Sequence, residues 1–339
     1  MLAKGTVKKR WCNNFVIMST IVAIKEEAVD IGAAAFTTSL NFLSNTLFSV
    51  DFADYESNAS QEVIEIISGV VGIIAKPNLS DFFPMLRAID PQGIRRKTNF
   101  YFGKFDEIIG LTRKREIPCL FEENDLLEVL QNSKKKRNLE YISDSILVQD
   151  FFLAAFEATS STVEWAIADL LRNPEKREKA RSEIREVVGQ HKLVQESDIL
   201  ALPYLKAIVK ETFRLHPPVT TVSRYYEADV EIDRDSSLWS NPESFVPERL
   251  LDSEIDVKGQ HFELLPFGTG RRICPGIPLG DRMVHLMVAS FLHTFDWKLD
   301  ARMRPEDMDM KEKLGITMHK AHSSVIHPKP PLRVNFHYL

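Results

Sequence analysis

The stretch FGTGRRICPG, residues 267–276, places one cysteine among three glycines, an arginine pair and a proline. The residues that follow, from 279 to 295, are apolar at helical spacing. A cysteine at the start of a helix meets free peptide N–H groups, which stabilise a sulfur anion. The stretch therefore predicts a ligating thiolate at Cys274. The alternative is an inert, buried cysteine in a glycine-rich turn.

The neighbours of Cys274 restrict what its sulfur can bind. A zinc site needs further Cys, His or acidic ligands at short spacing, and redox exchange needs a second nearby cysteine; the surrounding sequence offers neither. A haem iron needs only one thiolate, because the porphyrin supplies the in-plane donors and sulfur donation favours cleavage of the O–O bond. The glycines would let the backbone approach a flat macrocycle, and the two arginines can reach its propionates. Phe267 would shield the sulfur.

The spacing FxxGxRxCxG within this stretch resembles the haem-binding signature of the cytochrome P-450 monooxygenases. The resemblance implies a mainly α-helical fold with a small, here shortened, β-sheet region. It implies haem b as the cofactor and Cys274 as the axial ligand of its iron. The resemblance assigns six residues to haem binding: Phe267, Gly268, Gly270, Arg272, Cys274 and Gly276.

A second motif, KETFRLHPP at residues 210–218, carries the same resemblance. It places Glu211 and Arg214 on one helix face, where such a pair is usually exposed and worth about 0.2–0.5 kcal/mol. Followed by Pro247-Glu248-Arg249, the pair is similar to the family's buried Glu-Arg-Arg cluster. The resemblance implies a structural network in which a charge left unpaired would be strongly destabilising.

A third motif, AAFEAT at residues 154–159, is similar to the family's oxygen-binding helix, where an acid followed by a threonine delivers protons to dioxygen. Glu157 occupies the acid position, but Ala158 stands where the threonine belongs. Thr159 lies about 100° further round the helix and is expected to point elsewhere. Glu157 and Thr159 are the candidate catalytic residues, and the missing hydroxyl predicts poor proton delivery and leakage of peroxide. The alternative is a core helix with Glu157 at its polar edge.

Composition excludes several classes of protein. The 339 residues are 44% apolar and 27% charged, which predicts a globular protein with one large core or two smaller ones. A net charge of -5 gives no general attraction to nucleic acid or to anionic lipid. Three widely spaced cysteines cannot form a disulfide framework and suit a reducing compartment. The apolar run at residues 15–24 is too short to span a bilayer.

Apolar residues recur at helical spacing along most of the chain, and strand-like alternation is scarce. The spacing predicts helices over residues 27–50, 61–75, 92–115, 141–172, 175–188, 205–215 and 279–295. A short strand is predicted at 229–232. The last helix should turn five residues inward: Met283, Leu286, Met287, Ser290 and Phe291. His319, His322 and His327 are scattered in a polar tail without the spacing of metal ligands.

From about residue 27 onward the chain is similar to plant terpenoid-hydroxylating members of the family, including the geraniol hydroxylase group. The match is finest over residues 29–54, 76–96 and 241–251. Residues 1–26 resemble no part of the family, so the domain prediction is an unplaced leader, 1–26, and an incomplete catalytic domain, 27–339. The family's membrane anchor is missing, and an internal gap is predicted between Ile232 and Asp233.

The resemblance implies a haem-thiolate monooxygenase that hydroxylates small apolar, terpenoid-like substrates with O2. Electrons would come from a separate NADPH-dependent flavin reductase, and residues 216–222 would line the substrate pocket. The implied location is the cytosolic face of the endoplasmic reticulum membrane, or the cytoplasm if the absent anchor is decisive; no nucleic-acid partner is expected. The alternative is a non-catalytic, truncated remnant that binds haem weakly or not at all, which Ala158 and the gaps favour.

Overall fold

The computed structural model describes residues 29–48, 58–74, 76–114, 144–190, 192–220, 239–299, 303–315 and 317–329. The α-helices in these ranges are α1 (Ile31–Phe48), α2 (Asn58–Ile74), α3 (Leu79–Phe82), α4 (Ile94–Lys114), α5 (Asp144–Arg172), α6 (Pro174–Val188), α7 (Pro203–Leu215) and α8 (Ile277–Thr294). The strands are β1 (Val29–Asp30), β2 (Asp296–Lys298), β3 (Glu312–Leu314), β4 (Met318–Lys320) and β5 (Val325–Lys329). The predicted mainly helical fold with a small sheet is confirmed.

All seven predicted helices are present, with boundaries that shift by a few residues. Three of them, α6, α7 and α8, carry a proline in their first turn. Proline is tolerated there because the N–H groups of the first turn have no partner within the helix. The predictions for residues 1–26, the strand at 229–232 and the gap at 232–233 fall outside the described residues.

The polar C-terminal segment forms strands that the sequence did not predict. β5 pairs antiparallel with both β1 and β2, so that Val29 lies opposite Ile326 and Asp296 opposite Lys329. β3 and β4 form a separate antiparallel hairpin. Strands of three to five residues are too short to show a clear alternation, and their pairing depends on distant parts of the chain.

The chain forms two compact units, and each has its own packed interior. The described part of the first comprises residues 36–48, 58–74, 76–114 and 144–157; the second comprises 29–35 and the described residues from 158 onward. In the first unit α2 packs closely on α4 at Gly69, where an added Cβ would lie only 2.3 Å from the ring of Tyr101. Phe36 and Phe156 meet there edge to face, with ring centroids 5.0 Å apart.

The second unit is built on the buried faces of α5, α6, α7 and α8. Of the five residues of α8 predicted to face inward, four are buried and Leu286 packs at the edge of the core. The indole of Trp297, in β2, donates a hydrogen bond to the carbonyl of Phe291 at 2.7 Å and so ties the sheet to the end of α8. This packing places the cysteine loop, residues 267–276, directly before a well-anchored helix.

A carboxylate of α5 is buried in this second unit. Glu164 is 6% exposed, and its Oε1 atom has no hydrogen-bonding partner within the ranges that the structure covers. Burial raises the pKa of Glu164 from 4.5 to about 7; the charge of Lys320 opposes the shift, and that of Asp30 adds to it. The native state therefore keeps a proton that the unfolded chain releases near its ordinary value.

The buried carboxyl predicts a pH-dependent stability. The Glu164 carboxyl contributes fully to stability below its pKa in the unfolded chain, and this contribution is lost as the pH rises through its pKa in the native state. The free energy of unfolding should therefore fall by up to about 3 kcal/mol over this range. In Glu164→Gln the titration is removed, and the stability of the variant relative to the parent should grow between about pH 5 and about pH 8. Urea unfolding at the two pH values measures it. Glu306→Gln, at an exposed site, is the control; a difference that does not change with pH would contradict the assignment.

Candidate active site

The cysteine loop is closed by backbone hydrogen bonds. The N–H of Cys274 donates to the carbonyl of Phe267 at 2.9 Å, and the N–H of Ile273 donates to the carbonyl of Gly270 at 3.2 Å. Gly268 and Gly270 have φ angles of +71° and +70°, in the left-handed region that costs other residues about 1–2 kcal/mol. These glycines were expected to let a ligand approach the backbone closely. Their positive φ angles show that the turn itself also requires glycine at both positions.

The sulfur of Cys274 lies where the loop meets α8. Cys274 is a free, exposed cysteine, so the alternative of an inert, buried thiol is wrong. Its Sγ atom accepts a hydrogen bond from the N–H of Gly276 at 3.3 Å, and α8 begins at the next residue. The sulfur therefore lies at the amino-terminal end of α8, beside a backbone N–H donor.

Gly259 supports the cysteine loop through one hydrogen bond and one close approach of backbone, neither of which the sequence revealed. The hydroxyl of Thr269 donates to the carbonyl of Gly259 at 2.6 Å. Gly259 has φ +82°, and a side chain there would lie 2.8 Å from the carbonyl oxygen of Gly268. The turn residues Asp256, Lys258 and Gly259 could have been predicted as a turn, but nothing in the sequence indicates that this turn supports the loop ten residues later.

Phe267 anchors the loop to two helices. Its ring meets Phe213 of α7 edge to face, with centroids 5.4 Å apart. It also faces Gly280 of α8, where an added Cβ would lie 3.6 Å from the ring. The side chain predicted to shield the sulfur thus packs on the helices that support the loop.

The residues of the loop suit a haem. The porphyrin supplies the in-plane donors of the iron, so a haem needs only one protein ligand of this kind. The exposed Cys274 sulfur, which accepts one N–H hydrogen bond, can be that ligand. Arg271 and Arg272 lie in a short turn at residues 270–272, and both are exposed, so their guanidinium groups can pair with propionates. Among the described residues there is no group of three His, Cys, Asp or Glu side chains that could hold a metal ion by themselves.

The predicted buried ionic network is present. Glu211 is fully buried, and its carboxylate accepts hydrogen bonds from Arg214 at 2.8 and 2.9 Å, from Arg249 at 3.1 Å and from the N–H of Val246 at 2.8 Å. The exposed position that is usual for an i, i+3 ion pair does not apply here. Both guanidinium groups also bind backbone carbonyls in the segment 240–244, which ties α7 to the chain that leads to the cysteine loop.

The third motif lies within α5, where its three residues differ in exposure. Glu157 and Thr159 are buried, at 9% and 5% exposure, whereas Ala158 is partly exposed. The carbonyl of Ala158 accepts a hydrogen bond from the hydroxyl of Thr162 at 2.8 Å. Thr159 thus does not share the surroundings of residue 158, as the helical spacing predicted. Glu157 and Thr159 remain predictions as catalytic groups.

The histidines of the C-terminal segment make local pairs. His322 lies 2.7 Å from a carboxylate oxygen of Asp309, and His319 lies 2.5 Å from the hydroxyl of Thr317. His327 is in β5, opposite Lys298. The contacts of His319 and His322 are thus with separate neighbours, Thr317 and Asp309.

A family model described as cytochrome P450 matches residues 15–234 and 231–326. The chain belongs to the cytochrome P450 family. Membership implies a haem cofactor. The two matched segments of this cytochrome P450 meet at residues 231–234, where the sequence analysis expected an internal gap in the family pattern.

The predicted likeness to plant geraniol hydroxylases is confirmed. This P450 is 48% identical to cytochrome P450 76T24 of Catharanthus roseus, over 87% of the chain and 64% of that protein. It is 43% identical to geraniol 8-hydroxylase of Swertia mussotii, over 87% of the chain and 65% of that protein. The chain therefore spans a little under two thirds of the length of these relatives.

The fold of this P450 also matches a solved structure. A zebra fish cytochrome P450, determined with progesterone, aligns with a TM-score of 0.71 over 94% of this chain and 78% of that one, at 21% sequence identity. No helix in the described ranges has the length and apolarity needed to cross a membrane.

Proposed function

We propose that this P450 is a haem-thiolate monooxygenase that hydroxylates small apolar, terpenoid-like molecules. The observation that carries the proposal is the exposed Cys274 sulfur, which accepts an N–H hydrogen bond at the start of α8. A sulfur in this position suits iron ligation better than a purely structural role, because it is exposed and the glycine-rich turn holds it in one place.

The residues of the loop would hold haem b in distinct ways. Cys274 would ligate the iron, and Gly276 would orient its sulfur through the N–H hydrogen bond. Arg272, with Arg271, would pair with the propionates. When bound, a haem with a thiolate ligand supplies the reductive activation of O2 and the insertion of one oxygen atom into a substrate. The carboxyl of Glu157 is proposed to take part in the proton delivery that this chemistry requires, and Thr159, two residues further along α5, is the second candidate.

The substrate class is proposed from the relatives. One of them is a geraniol 8-hydroxylase, which supports an apolar terpenoid alcohol of similar size as the substrate here. The segment from His216 to Val222 would form part of the pocket wall. Electrons would reach the haem from an NADPH-dependent flavin reductase, and the protein would work at the cytosolic face of the endoplasmic reticulum membrane.

An absorption spectrum tests the proposal directly. The chain is expressed with a haem supply, reduced and exposed to carbon monoxide. The red-shifted band of a thiolate-ligated haem supports the proposed function, and turnover of geraniol with reductase and NADPH completes it. A band typical of haem without thiolate, or no band at all, would contradict it and would leave the non-catalytic remnant as the remaining interpretation.

The alanine at position 158 predicts poor coupling of electrons to product. Without a hydroxyl at this position, proton delivery is slowed and reduced oxygen is lost as peroxide. Ala158→Thr is expected to raise the ratio of product formed to NADPH consumed by about tenfold or more, since a positioned proton donor contributes about 10²–10⁴-fold. Ala158→Val adds the same bulk without the hydroxyl and should leave the ratio low. Equal ratios in the two variants would show that the missing hydroxyl at position 158 does not cause poor coupling.

A further inference from the structure

Three segments of the second unit are joined at the backbone of Met318, in β4. Its carbonyl accepts hydrogen bonds from the hydroxyl of Ser161 at 2.5 Å and from the indole N–H of Trp165 at 3.4 Å, both in α5. A carbonyl oxygen has two lone pairs, so it can accept both bonds at once. The N–H of Met318 donates to the carbonyl of Pro218 at 2.8 Å, just after α7. One residue thus links a helix, a hairpin and the segment after α7.

The bond to Pro218 matters because of the local sequence. Pro217 and Pro218 have no N–H groups, so neither can donate a hydrogen bond to a neighbouring strand. Their backbone can be held only through its carbonyls, and Met318 binds one of them. The path of residues 217–220 therefore depends on where the hairpin of β3 and β4 lies.

The indole that binds Met318 is itself held in orientation. Trp165 is fully buried, and its ring stacks on the imidazole of His216 with centroids 3.9 Å apart and planes inclined by 6°. The ammonium group of Lys320, in β4, lies over the indole at 5.3 Å from its centroid. These contacts restrict rotation of the indole, so its N–H stays directed at the Met318 carbonyl.

His216 completes the link between helix and hairpin. Its Nε2 atom lies 3.3 Å from a carboxylate oxygen of Asp169 in α5, and its Nδ1 atom lies 3.4 Å from Glu312 in β3. His216 is also the first residue of the segment 216–222, which is expected to line the substrate pocket. The same side chain therefore contacts both structures whose relative position would shape the pocket wall.

We propose that Ser161, Trp165 and His216 are positioning residues that set substrate selectivity. Ser161 and Trp165 hold the β3–β4 hairpin on α5 through Met318, and His216 contacts the same hairpin through Glu312. The hairpin in turn holds the carbonyl of Pro218, and with it the start of the pocket wall. The inference rests on the proposed function, because it assigns residues 216–222 to the pocket of the enzyme proposed above. It predicts that loss of one hydroxyl in α5 changes which substrate is preferred, while haem binding is unchanged.

The test compares Ser161→Ala with Thr162→Val, two variants that each remove one buried hydroxyl from α5. Ser161 binds the hairpin, whereas Thr162 binds only the carbonyl of Ala158 in its own helix. Amide hydrogen exchange at residue 318 and the ratio of dissociation constants for geraniol and its longer homologue farnesol, by equilibrium dialysis, are measured on the haem-loaded protein. Trp165→Phe, which keeps an aromatic ring but loses the N–H donor, serves as a second variant.

Ser161→Ala and Trp165→Phe are expected to speed exchange at Met318 by about fivefold or more, because a hydrogen bond of ordinary strength is lost. They should also change the geraniol-to-farnesol ratio by about threefold or more, and Thr162→Val should change neither quantity. Faster exchange with an unchanged ratio, or unchanged exchange, would overturn the inference. Failure of the proposed function is recognised separately, as the missing thiolate band of the unsubstituted chain.

Discussion

Replacing Cys274 by serine is expected to abolish the red-shifted band of the reduced, carbon monoxide-treated protein and to lower the proposed hydroxylase activity by about 100-fold. The physical reason is the loss of the sulfur donor: a serine hydroxyl at the same place is a poor ligand for iron. The difference spectrum and the rate of geraniol turnover per haem measure the two effects.

Thr269→Ser is the matched control for this change. It lies in the same loop and keeps the hydroxyl that binds the carbonyl of Gly259, so the spectrum and the activity should stay close to those of the parent. If the serine at 274 left the band in place, the iron ligand would be another residue, and the proposed role of the cysteine loop would be wrong.

Replacing Glu211 by alanine is expected to destabilise the second unit by about 3–5 kcal/mol. The carboxylate is fully buried and neutralises Arg214 and Arg249, which are themselves largely buried, so its removal leaves two guanidinium charges without a counter-ion. Since a domain is stable by only about 5–15 kcal/mol, much of the margin would be lost. The measurement is the free energy of unfolding in urea, or the soluble yield if the variant does not fold.

An exposed ion pair provides the comparison. Arg304 and Asp307 form an ion pair of 2.7 Å with side chains 69% and 51% exposed, so Asp307→Asn should destabilise the protein far less than Glu211→Ala. The contrast tests burial as the cause, because both changes remove a carboxylate from an arginine three residues away. A similar small effect at both sites would show that the network around Glu211 contributes little to stability.

The helices and the cysteine loop were the most predictable parts of this P450. Helical hydrogen bonds join residues four apart, so the apolar spacing of a short window is enough to reveal them. The loop motif is likewise local: the glycines, the cysteine and the start of α8 lie within a dozen residues, and the structure shows the sulfur exposed beside an N–H donor.

The strands and the supports of the loop were not predictable in the same way. β5 pairs with both β1 and β2, and β1 lies near the other end of the sequence. The carbonyl of Gly259 supports the loop by accepting a hydrogen bond from the hydroxyl of Thr269, a contact that no spacing rule describes. Strand pairing and the support of the loop depend on how distant elements pack together, and a short segment of sequence contains no information about that packing.

The sequence by itself determined that a cysteine would stand in a glycine-rich turn at the start of a helix, because turn conformation and helix periodicity are properties of neighbouring residues. Only the tertiary structure decided that Arg214 and Arg249 bind backbone carbonyls of the segment 240–244, and that Met318 binds Ser161, 157 residues away in the sequence. Burial and long-range hydrogen bonds depend on the packing of whole elements, which creates surroundings that no single stretch of the chain contains.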